Sequence, residues 1–255
     1  MPKISVIVPA FNEEQRIRLC LNSIFEQTIA PKDYEVIVVD NNSTDKTAKI
    51  VREQFPQVRL IAEKKQGVVF ARMAGIKKAR GKIIAFTDAD SVVSPYWLKN
   101  LFQAYEDPNI VAVGGLSNLE PKNNLVKLVE PVLNAVSPAL KLMSGCDLSF
   151  RKDAYKKAGG FSPKINFNED FYISLKIKKT GKVLILKNRG VSTSSRRYTP
   201  KDFFPYAARA IINITSIALF DRSVFFNLRP VKNKNKKLSL KDYLVIRPGF
   251  FNSRK

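Results

Sequence analysis

The sequence predicts an α/β protein with a mostly parallel sheet flanked by helices and a helical C-terminal appendage. Short β-rich runs alternate with amphipathic stretches over the first 90 residues, which is typical of βαβ units. Polar and acidic residues follow three of the strand-like runs, at positions 9–13, 40–45 and 88–90. Because ligands bind beyond the carboxyl ends of parallel strands, these three segments are expected to converge on one crevice.

Each element is predicted from its own pattern of apolar residues. The run 4–12 predicts a buried strand that Pro9 stops, and the spacing of Ile17, Cys20 and Ile24 predicts a helix over 13–27. Further strands are predicted at 34–40, 58–63, 82–88, 111–116, near 148 and at 182–187. Further helices are predicted after residue 46, at 68–79, at 95–106, before Gly159-Gly160 and at 168–181.

Two later stretches are less regular. Residues 125–143 predict a helix that is broken by Pro131 and Pro138. Residues 203–220 form an apolar segment with Arg209 inside it, too short and too polar to be assigned as a membrane span. This segment is expected either to pack as a core helix or to lie on a membrane surface.

Composition narrows the classes of function. The 255 residues include two cysteines, Cys20 and Cys146, and no histidine. Histidine-based acid–base catalysis and histidine metal ligands are therefore excluded. Two cysteines favour a reducing compartment over a disulfide framework. No basic, apolar and small-residue pattern opens the chain, so no signal peptide is expected.

The positive charge is concentrated in the second half of the chain. The net charge is +22, and residues 1–150 hold 19 Lys/Arg against 16 Asp/Glu. Residues 151–201 hold 14 against 3, and residues 227–255 hold 9 against 1. This distribution favours polyanionic partners such as nucleic acid, anionic lipid headgroups or a phosphate-bearing substrate.

The stretch IIAFTDADS at 83–91 places two acids directly after an apolar run. Asp88 and Asp90 are two residues apart, so an extended chain would direct both carboxylates to the same side. Two neighbouring carboxylates suit a hard cation such as Mg²⁺ or Mn²⁺, whose remaining ligands a substrate phosphate can supply. A surface turn also produces this pattern, but the position after a fourth strand favours a metal site.

The motifs resemble family 2 glycosyltransferases with the GT-A (Rossmann-like) fold. The resemblance spans about residues 3–200 and rests on five motifs in the order typical of the family. They are ISVIVPAFNEE at 4–14, VIVVDNNSTDKT at 36–47, KKQGVVFARMAGIKKARGKIIAFTDAD at 64–90, SGCDLSFRKDAYKKAGGF at 144–161 and NEDFYISLKI at 168–177.

The resemblance implies a role for each matching residue. Asp90 and Asp88 would hold the metal, Mn²⁺ or Mg²⁺, and Asp170 would be the catalytic base, with inversion at the anomeric carbon. Glu169, Gly145 and Cys146 would bind the acceptor. The nucleotide sugar would contact Pro9, Ala10, Glu13, Asp40, Lys65, Gly67, Arg72, Asp88 and Ala89. Glu169 and Asp170 would also suit a helix N-terminus without any catalytic role.

The chain departs from the family at one position. Many relatives carry a histidine after the last strand, whereas this sequence has VSTSSRRYTP at 191–200. Arg196 and Arg197 are either diphosphate ligands, because guanidinium groups match phosphate oxygens, or part of a solvated basic turn. The Q-x-x-R-W motif of processive synthases is absent, which favours addition of a single sugar.

The predicted function is an inverting, metal-dependent transfer of one sugar from a UDP- or GDP-linked donor to a hydroxyl or phosphate acceptor, which is a polysaccharide, a glycan or a lipid-linked molecule. The alternatives are a nucleotidyltransferase and a non-enzymatic anion- or membrane-binding module. No nucleic-acid partner is expected, because no such motif occurs. The expected location is cytoplasmic, with peripheral attachment to the cytoplasmic face of an anionic membrane. Hexosyl transfer in cell-envelope glycan biosynthesis is the expected setting.

The predicted domain organisation has two parts. Residues 1–200 form the glycosyltransferase domain, with a nucleotide-sugar half at about 1–115 and an acceptor half at about 116–200. Residues 201–255 form a basic and aromatic C-terminal region, in which Tyr243, Phe250 and Phe251 are interleaved with Lys and Arg. Apolar area beside cations is what holds a protein at an anionic membrane interface.

Overall fold

The structure is a computed structural model, and it describes residues 1–188 and 190–225. The strands are β1 Ile4–Ala10, β2 Tyr34–Asp40, β3 Arg59–Ala62, β4 Ile83–Phe86, β5 Ser91–Val93, β6 Ile110–Gly115, β7 Leu119–Glu120, β8 Leu148–Arg151, β9 Lys182–Leu186 and β10 Val191–Ser194. The helices are α1 Ile17–Phe25, α2 Thr47–Gln54, α3 Val68–Lys78, α4 Trp97–Ala104, α5 Asn124–Leu140, α6 Lys152–Lys157, α7 Glu169–Ile177 and α8 Pro200–Phe220.

A seven-stranded sheet with the order β3-β2-β1-β4-β8-β6-β9 forms the centre of the molecule. The first four strands in this order are parallel, and β6 is parallel to β9. Strand β8 lies antiparallel between β4 and β6. A second sheet has the order β5-β10-β7. The predicted class, a mostly parallel sheet flanked by helices with a C-terminal helix, is confirmed.

Apolar residues cover both faces of the main sheet. Along β1, Val6 and Val8 belong to the apolar cluster that includes α1, whereas Ile7 belongs to the cluster that includes α3. This alternation follows from the two-residue period of a strand. A sheet with both faces covered holds its strand ends rigidly, and the carboxyl ends of β1 and β4 are therefore firm supports for a site.

The prediction that Pro9 stops the first strand is wrong. Strand β1 continues through Pro9 to Ala10 and pairs with β2 along its whole length. Its pairing with β4 ends at Ile7 opposite Phe86. Proline has no N–H to donate, and it is tolerated in a strand where one neighbour is missing.

The prediction that two prolines break the helix after residue 124 is also wrong. Helix α5 is continuous and contains both Pro131 and Pro138. Its polar side is tied to the segment before it, because Leu119 N–H donates to Glu130 and Ser117 N–H donates to Asn134. Each proline removes one backbone hydrogen bond from the helix. The two side-chain contacts with residues 117 and 119 hold the helix in place near the prolines.

The C-terminal region begins with a capped helix. The Thr199 side chain accepts a hydrogen bond from the Asp202 N–H at the start of α8. Strands β8 and β9, which come from the predicted acceptor half, belong to the same sheet as the strands of the predicted nucleotide-sugar half. The predicted aromatic and basic tail at 226–255, with Tyr243, Phe250 and Phe251, lies outside the described residues.

Candidate active site

A crevice of about 1250 Å³ opens at the carboxyl ends of β1 and β4. It is lined by residues from all five motifs that carry the family resemblance. Of the predicted site residues, the crevice brings together Pro9, Ala10, Glu13, Gly67, Arg72, Asp88, Ala89, Asp90, Gly145, Cys146, Glu169, Asp170, Arg196 and Arg197. The expected convergence of the strand ends is therefore present in the fold.

The two acids after β4 lie in a turn and not in an extended chain. Strand β4 ends at Phe86, and the turn closes with a hydrogen bond from Ser91 N–H to the Asp88 carbonyl oxygen. The prediction from strand alternation is therefore wrong in its geometry. Both residues still line the crevice, with the buried Ala89 between them.

Asp90 is held by an arginine from beyond the last strand. Its Oδ2 lies 3.1 Å from Arg196 Nη2, and Thr193 Oγ1 donates to its Oδ1 at 3.4 Å. Arg196 also donates to both carboxylate oxygens of Glu13, from Nη1 at 3.1 Å and from Nη2. Arg196 is therefore shared between an acid after β1 and an acid after β4.

Glu13 is positioned by the turn after β1 and is buried. Its backbone N–H donates to Thr47 Oγ1 at 2.8 Å, which fixes this turn against α2. Burial, together with the negative charge of Asp90, raises the pKa of Glu13 to about 7, although Arg196 and Arg16 act in the opposite direction. Arg196 thus favours the charged form of this carboxyl group, whereas burial and Asp90 favour the neutral form.

Arg72 is a buried cation between the two acid pairs of the crevice. Only 2% of its side chain is exposed, and its Nη2 donates to Asp88 Oδ1 at 3.3 Å. Its Nε lies 3.4 Å from Glu169 Oε1, and its guanidinium carbon lies 5.0 Å from the centre of the Phe86 ring. Within the described part of the chain, Nη1 has no hydrogen-bond partner. A buried cation with an unmet donor favours anionic contents for the crevice.

Burial and the Arg72 cation have opposite effects on the pKa of the Asp88 carboxyl group. Desolvation raises its pKa, Arg72 lowers it and Asp90 raises it, and the net direction is upward. Its side chain nevertheless retains 37% exposure to the crevice, whereas that of Asp90 retains 11%. Asp88 is therefore the more accessible of the two acids.

The second acid pair begins α7. Asp170 Oδ2 accepts a hydrogen bond from Gly145 N–H at 2.9 Å, and its Oδ1 accepts one from Phe171 N–H at 2.8 Å. A Cβ atom at Gly145 would lie 2.6 Å from Arg72 Nη2, so a larger residue there would displace the guanidinium group from its present position. Burial raises the pKa of Glu169 to about 7 against the opposing effect of Arg72.

Cys146 lies in the same turn as Gly145. It is buried, its Sγ lies 3.3 Å from Ser144 Oγ, and burial raises the pKa of its thiol. A protonated thiol is a poor nucleophile, so this residue shapes the crevice and does not attack a substrate.

Two predicted site residues do not line the crevice. Asp40 borders a separate depression beside Arg52 and Pro56, and its Oδ1 has no partner among residues 1–188 and 190–225. The Lys65 ammonium lies 4.2 Å from the centre of the Phe70 ring. Their predicted contacts with the nucleotide stay predictions.

Several residues that shape the crevice were not predicted from the sequence. Asn41 donates to the Glu63 and Lys65 carbonyl oxygens and accepts from Gly67 N–H, so it joins the segments after β2 and β3. It directly follows Asp40, and an asparagine at a strand end could have indicated this role. Tyr198 and Tyr206 also line the crevice, and no local pattern distinguished them.

The carboxylates of the crevice are the candidate ligands of a divalent cation. Among the described residues, no group of three or more His, Cys, Asp or Glu side chains surrounds one point. Mg²⁺ and Mn²⁺ sites commonly use one or two carboxylates and complete their coordination with phosphate oxygens. The accessible Asp88 and the neighbouring Asp90 fit that pattern. Asp90, however, is paired with Arg196, so a cation and Arg196 would compete for it.

The fold and the site define a class of enzyme, and comparison with known proteins agrees. A family model described as "Glycosyl transferase family 2" matches residues 5–133, half of the chain. The chain belongs to glycosyl transferase family 2. This membership confirms the resemblance, and it does not favour the nucleotidyltransferase or the binding module.

Two curated relatives share the first part of the chain. Glycosyltransferase AglE of Haloferax volcanii is 38% identical over 120 residues, which cover 45% of this chain and 39% of that protein. The dolichyl N-acetyl-alpha-D-glucosaminyl phosphate 3-beta-D-2,3-diacetamido-2,3-dideoxy-beta-D-glucuronosyltransferase of Methanococcus voltae is 31% identical over 139 residues, with 51% and 43% covered. The matched segments therefore span less than half the length of these relatives.

A solved structure supports the fold. The mannosyltransferase PcManGT from Pyrobaculum calidifontis, in complex with GDP-Man and Mn²⁺, superposes with a TM-score of 0.69 at 24% identity. The match covers 86% of this chain and 64% of that one. At this identity the likeness establishes the GT-A fold.

Proposed function

We propose that the protein transfers a single sugar from a nucleoside-diphosphate sugar to an acceptor hydroxyl, with inversion at the anomeric carbon. The observation that carries this proposal is the convergence of two acid pairs on one crevice, with Arg72 between them. Asp88 and Asp90 belong to the donor side, and Glu169 and Asp170 belong to the acceptor side.

On the donor side, the segments after β1 and β2 supply the nucleotide contacts. Pro9, Ala10 and Glu13 line the crevice beside Asn41 and would border the base and ribose. Arg196 and Arg197 lie at the same crevice and would bind the diphosphate, because guanidinium groups donate to two phosphate oxygens at once. The donor is UDP- or GDP-linked, as in the GDP-Man complex of PcManGT.

Asp88 and Asp90 would hold Mn²⁺ or Mg²⁺ together with the donor diphosphate. When bound, such a cation neutralises charge that accumulates on the departing nucleoside diphosphate. The chain's own contribution to the same task is Arg196. A diphosphate that draws this guanidinium away from Asp90 would exchange one anionic partner for another and leave Asp90 accessible.

On the acceptor side, Asp170 would take the proton from the attacking hydroxyl. Its carboxylate is oriented by two backbone N–H groups, and orientation by the scaffold is what a general base needs. One carboxylate base and direct displacement give inversion. Glu169 would bind the acceptor: a carboxyl with a pKa of about 7 can donate or accept a hydrogen bond near neutral pH.

The acceptor class follows from charge and from relatives. The Methanococcus voltae relative is named for transfer to a dolichyl phosphate-linked sugar. A lipid-linked diphosphate or phosphate would suit the basic residues of 151–201, and its location on the cytoplasmic membrane face would make the enzyme peripheral. Glycan assembly for the cell envelope, one hexose-type unit at a time, is the proposed setting.

The test is a screen of UDP- and GDP-sugars with the full chain in the presence of Mn²⁺ or Mg²⁺. The readout is nucleoside diphosphate released by slow hydrolysis of the donor, followed by NMR of any product to determine its anomeric configuration. Release that disappears on addition of EDTA and an inverted product are expected. Cleavage of nucleoside triphosphates to pyrophosphate without any sugar release would instead establish a nucleotidyltransferase.

A further inference from the structure

Exposed large apolar side chains are concentrated on two helices. The described residues include twelve such side chains, and only Met1 and Tyr96 lie away from α5, α8 and the residues just after α8. The other ten are Leu128, Val132, Val136, Leu140, Phe204, Ile211, Ile212, Leu219, Phe220 and Val224. Scattered apolar residues are normal on a surface, but this concentration is not.

Helix α5 presents a continuous apolar stripe. Leu128, Val132, Val136 and Leu140 recur every four residues, which places them on one face, and they are 70%, 59%, 41% and 54% exposed. The acid within this stretch, Glu130, is buried on the other side, where it accepts from Leu119 N–H. The outer face from residue 128 to residue 140 therefore carries no charge.

Helix α8 has its polarity reversed relative to an ordinary surface helix. Two of its three buried residues are polar, and Asn213 donates to the Phe167 carbonyl oxygen and to Asn168. Its exposed side carries Phe204 and Ile211 among other apolar residues. The helix has 21 residues, its most apolar stretch has a mean hydropathy of 1.4, and only 22% of that stretch is buried. The prediction that this segment is too short and too polar for a membrane span is therefore wrong by length and composition. A soluble environment would favour the opposite arrangement.

The charges around these faces are positive. Exposed basic residues at or near the ends of the two helices, or within them, are Lys127, Lys141, Lys201, Arg209 and Arg222, whereas Lys122 is paired with Glu120 and Glu130. The exposed acid at the end of α8, Asp221, is paired with Lys176 at 2.8 Å. A second copy of the chain would oppose these cations with like charge, and so would the basic residues of 227–255. An anionic bilayer supplies both an apolar phase and negative charge.

We propose that Leu128, Val132, Val136 and Leu140 of α5 and Phe204, Ile211, Ile212, Leu219 and Phe220 of α8, the apolar platform, insert into the interface of an anionic lipid bilayer. Both helices also line the crevice, through Leu133 and Ser137 of α5 and Tyr206 of α8. The platform therefore places the crevice at headgroup level. The inference rests on the proposed function only for what enters the crevice.

The first test compares vesicle binding of full-length variants. The triple variant Leu128→Gln, Val132→Gln, Val136→Gln removes three of the four residues of the α5 stripe without touching the crevice lining. Tyr96→Gln, at an exposed residue just before α4, is the control. Vesicles of phosphatidylcholine alone and mixed with phosphatidylglycerol are used in flotation. The wild type and the control are expected to float with the anionic vesicles, and the triple variant to bind about tenfold or more weakly.

Donor hydrolysis in solution is measured on the same samples. Equal nucleoside diphosphate release by wild type, triple variant and control is expected, so that loss of vesicle binding is not loss of fold. If wild type shows hydrolysis but no flotation, this inference fails while the proposed function stands. If wild type floats but hydrolyses no donor, the proposed function fails while this inference stands.

A second measurement does not depend on the stability of the triple variant. Val132→Cys and, as control, Tyr96→Cys are labelled with an environment-sensitive fluorophore, since the native Cys20 and Cys146 are buried. Anionic vesicles are expected to shift the emission of the label at 132 to the blue and to leave the label at 96 unchanged. No shift at 132, or a dimer in light scattering that the triple variant abolishes, would overturn the inference.

Discussion

Asp170 and Asp153 occupy matching places in the chain. Each is the second residue of a helix, and each accepts a hydrogen bond from the N–H of the residue after it, at 2.8 Å. Only Asp170 lines the crevice and also accepts from Gly145 N–H. Comparing substitutions of Asp170 and Asp153 therefore distinguishes a catalytic role from the general stabilising effect of an acid at a helix N-terminus.

We expect Asp170→Asn to lower the rate of sugar transfer by about 10²–10⁴-fold, because an amide cannot take a proton from the acceptor. Donor affinity, measured by calorimetry, should stay within about twofold of the wild type because Asp170 lies on the acceptor side. Asp153→Asn should transfer sugar at the normal rate. A collapse of donor affinity in Asp170→Asn would show that this residue is a nucleotide ligand.

Arg196 provides a second prediction at this scale. Because it is paired with Asp90 and Glu13, Arg196→Ala should free Asp90 and strengthen Mn²⁺ binding in the absence of nucleotide. The change should be about tenfold in dissociation constant, followed by the electron paramagnetic resonance signal of free Mn²⁺. The same variant should bind nucleoside diphosphate more weakly.

Arg18→Ala is the control for Arg196. Arg18 is on the exposed side of α1, where its Nε donates to Gln54 at 2.8 Å, and it does not line the crevice. Its removal should change neither measurement. Unchanged or weaker Mn²⁺ binding by Arg196→Ala would mean that the arginine does not compete for Asp90.

At the scale of elements, α4 is joined to the turn before β8 by one buried hydrogen bond. Trp97 Nε1 donates to Asp147 Oδ1 at 2.9 Å, and both side chains are buried. Burial raises the pKa of Asp147 from its ordinary value of 3.8 to about 6, although the Trp97 hydrogen bond acts in the opposite direction. The folded protein therefore binds this proton more tightly than the unfolded chain does.

This shift has a definite sign in the pH dependence of stability. Asp147 favours the folded state fully below pH 3.8, and its contribution is lost as pH rises through about 6. At about 1.4 kcal/mol per pKa unit, the loss is roughly 3 kcal/mol. Asp147→Asn keeps an acceptor for Trp97 and should remove this loss. Urea unfolding at several pH values checks it, and the inference fails if both proteins show the same slope.

Elements with a clear local period were predictable from sequence, whereas their partners were not. Strand β2 was predicted at 34–40, because Val36, Val38 and their neighbours form an apolar run bounded by polar residues. The predictions that proline breaks α5 and stops β1 were wrong, because contacts with other parts of the fold compensate for proline in both elements. Arg196 and Glu13 are 183 positions apart, so no local pattern could pair them.

The same distinction applies to the site. The Asp88 and Asp90 motif was found from its position after a strand, but its turn geometry depends on the hydrogen bond between Ser91 and Asp88. The close approach of Gly145 to the Arg72 guanidinium group depends on α3, which carries Arg72. The identities of the site residues could be predicted from the order of motifs in the chain. The distances between their side chains could not, because they depend on how the elements pack.

At the scale of the whole molecule, donor and cation should stabilise the fold together. Asp88 and Asp90 alone provide few ligands, and a nucleoside diphosphate provides the rest, so each should strengthen binding of the other. At about 100 times the dissociation constant, the gain is roughly 2.7 kcal/mol, or about 5–10 °C in melting temperature.

Differential scanning fluorimetry with UDP or GDP, Mn²⁺, or both provides the measurement. We expect the shift with both ligands to exceed the sum of the separate shifts in the wild type. In Asp90→Asn the shift with both should fall to the value with nucleotide alone. Additive shifts in the wild type would argue against a shared site.

The antiparallel strand β8 has a consequence for synthesis on the ribosome. Strand β4 is fully buried and lies between β1 and β8, but β8 is made more than sixty residues after it. Until residue 151 leaves the exit tunnel, one side of Ile83–Phe86 is an unpaired apolar edge of the nascent chain, open to pairing with other chains. Termination before that residue should therefore yield an aggregating product, even though the donor-side acids are already present.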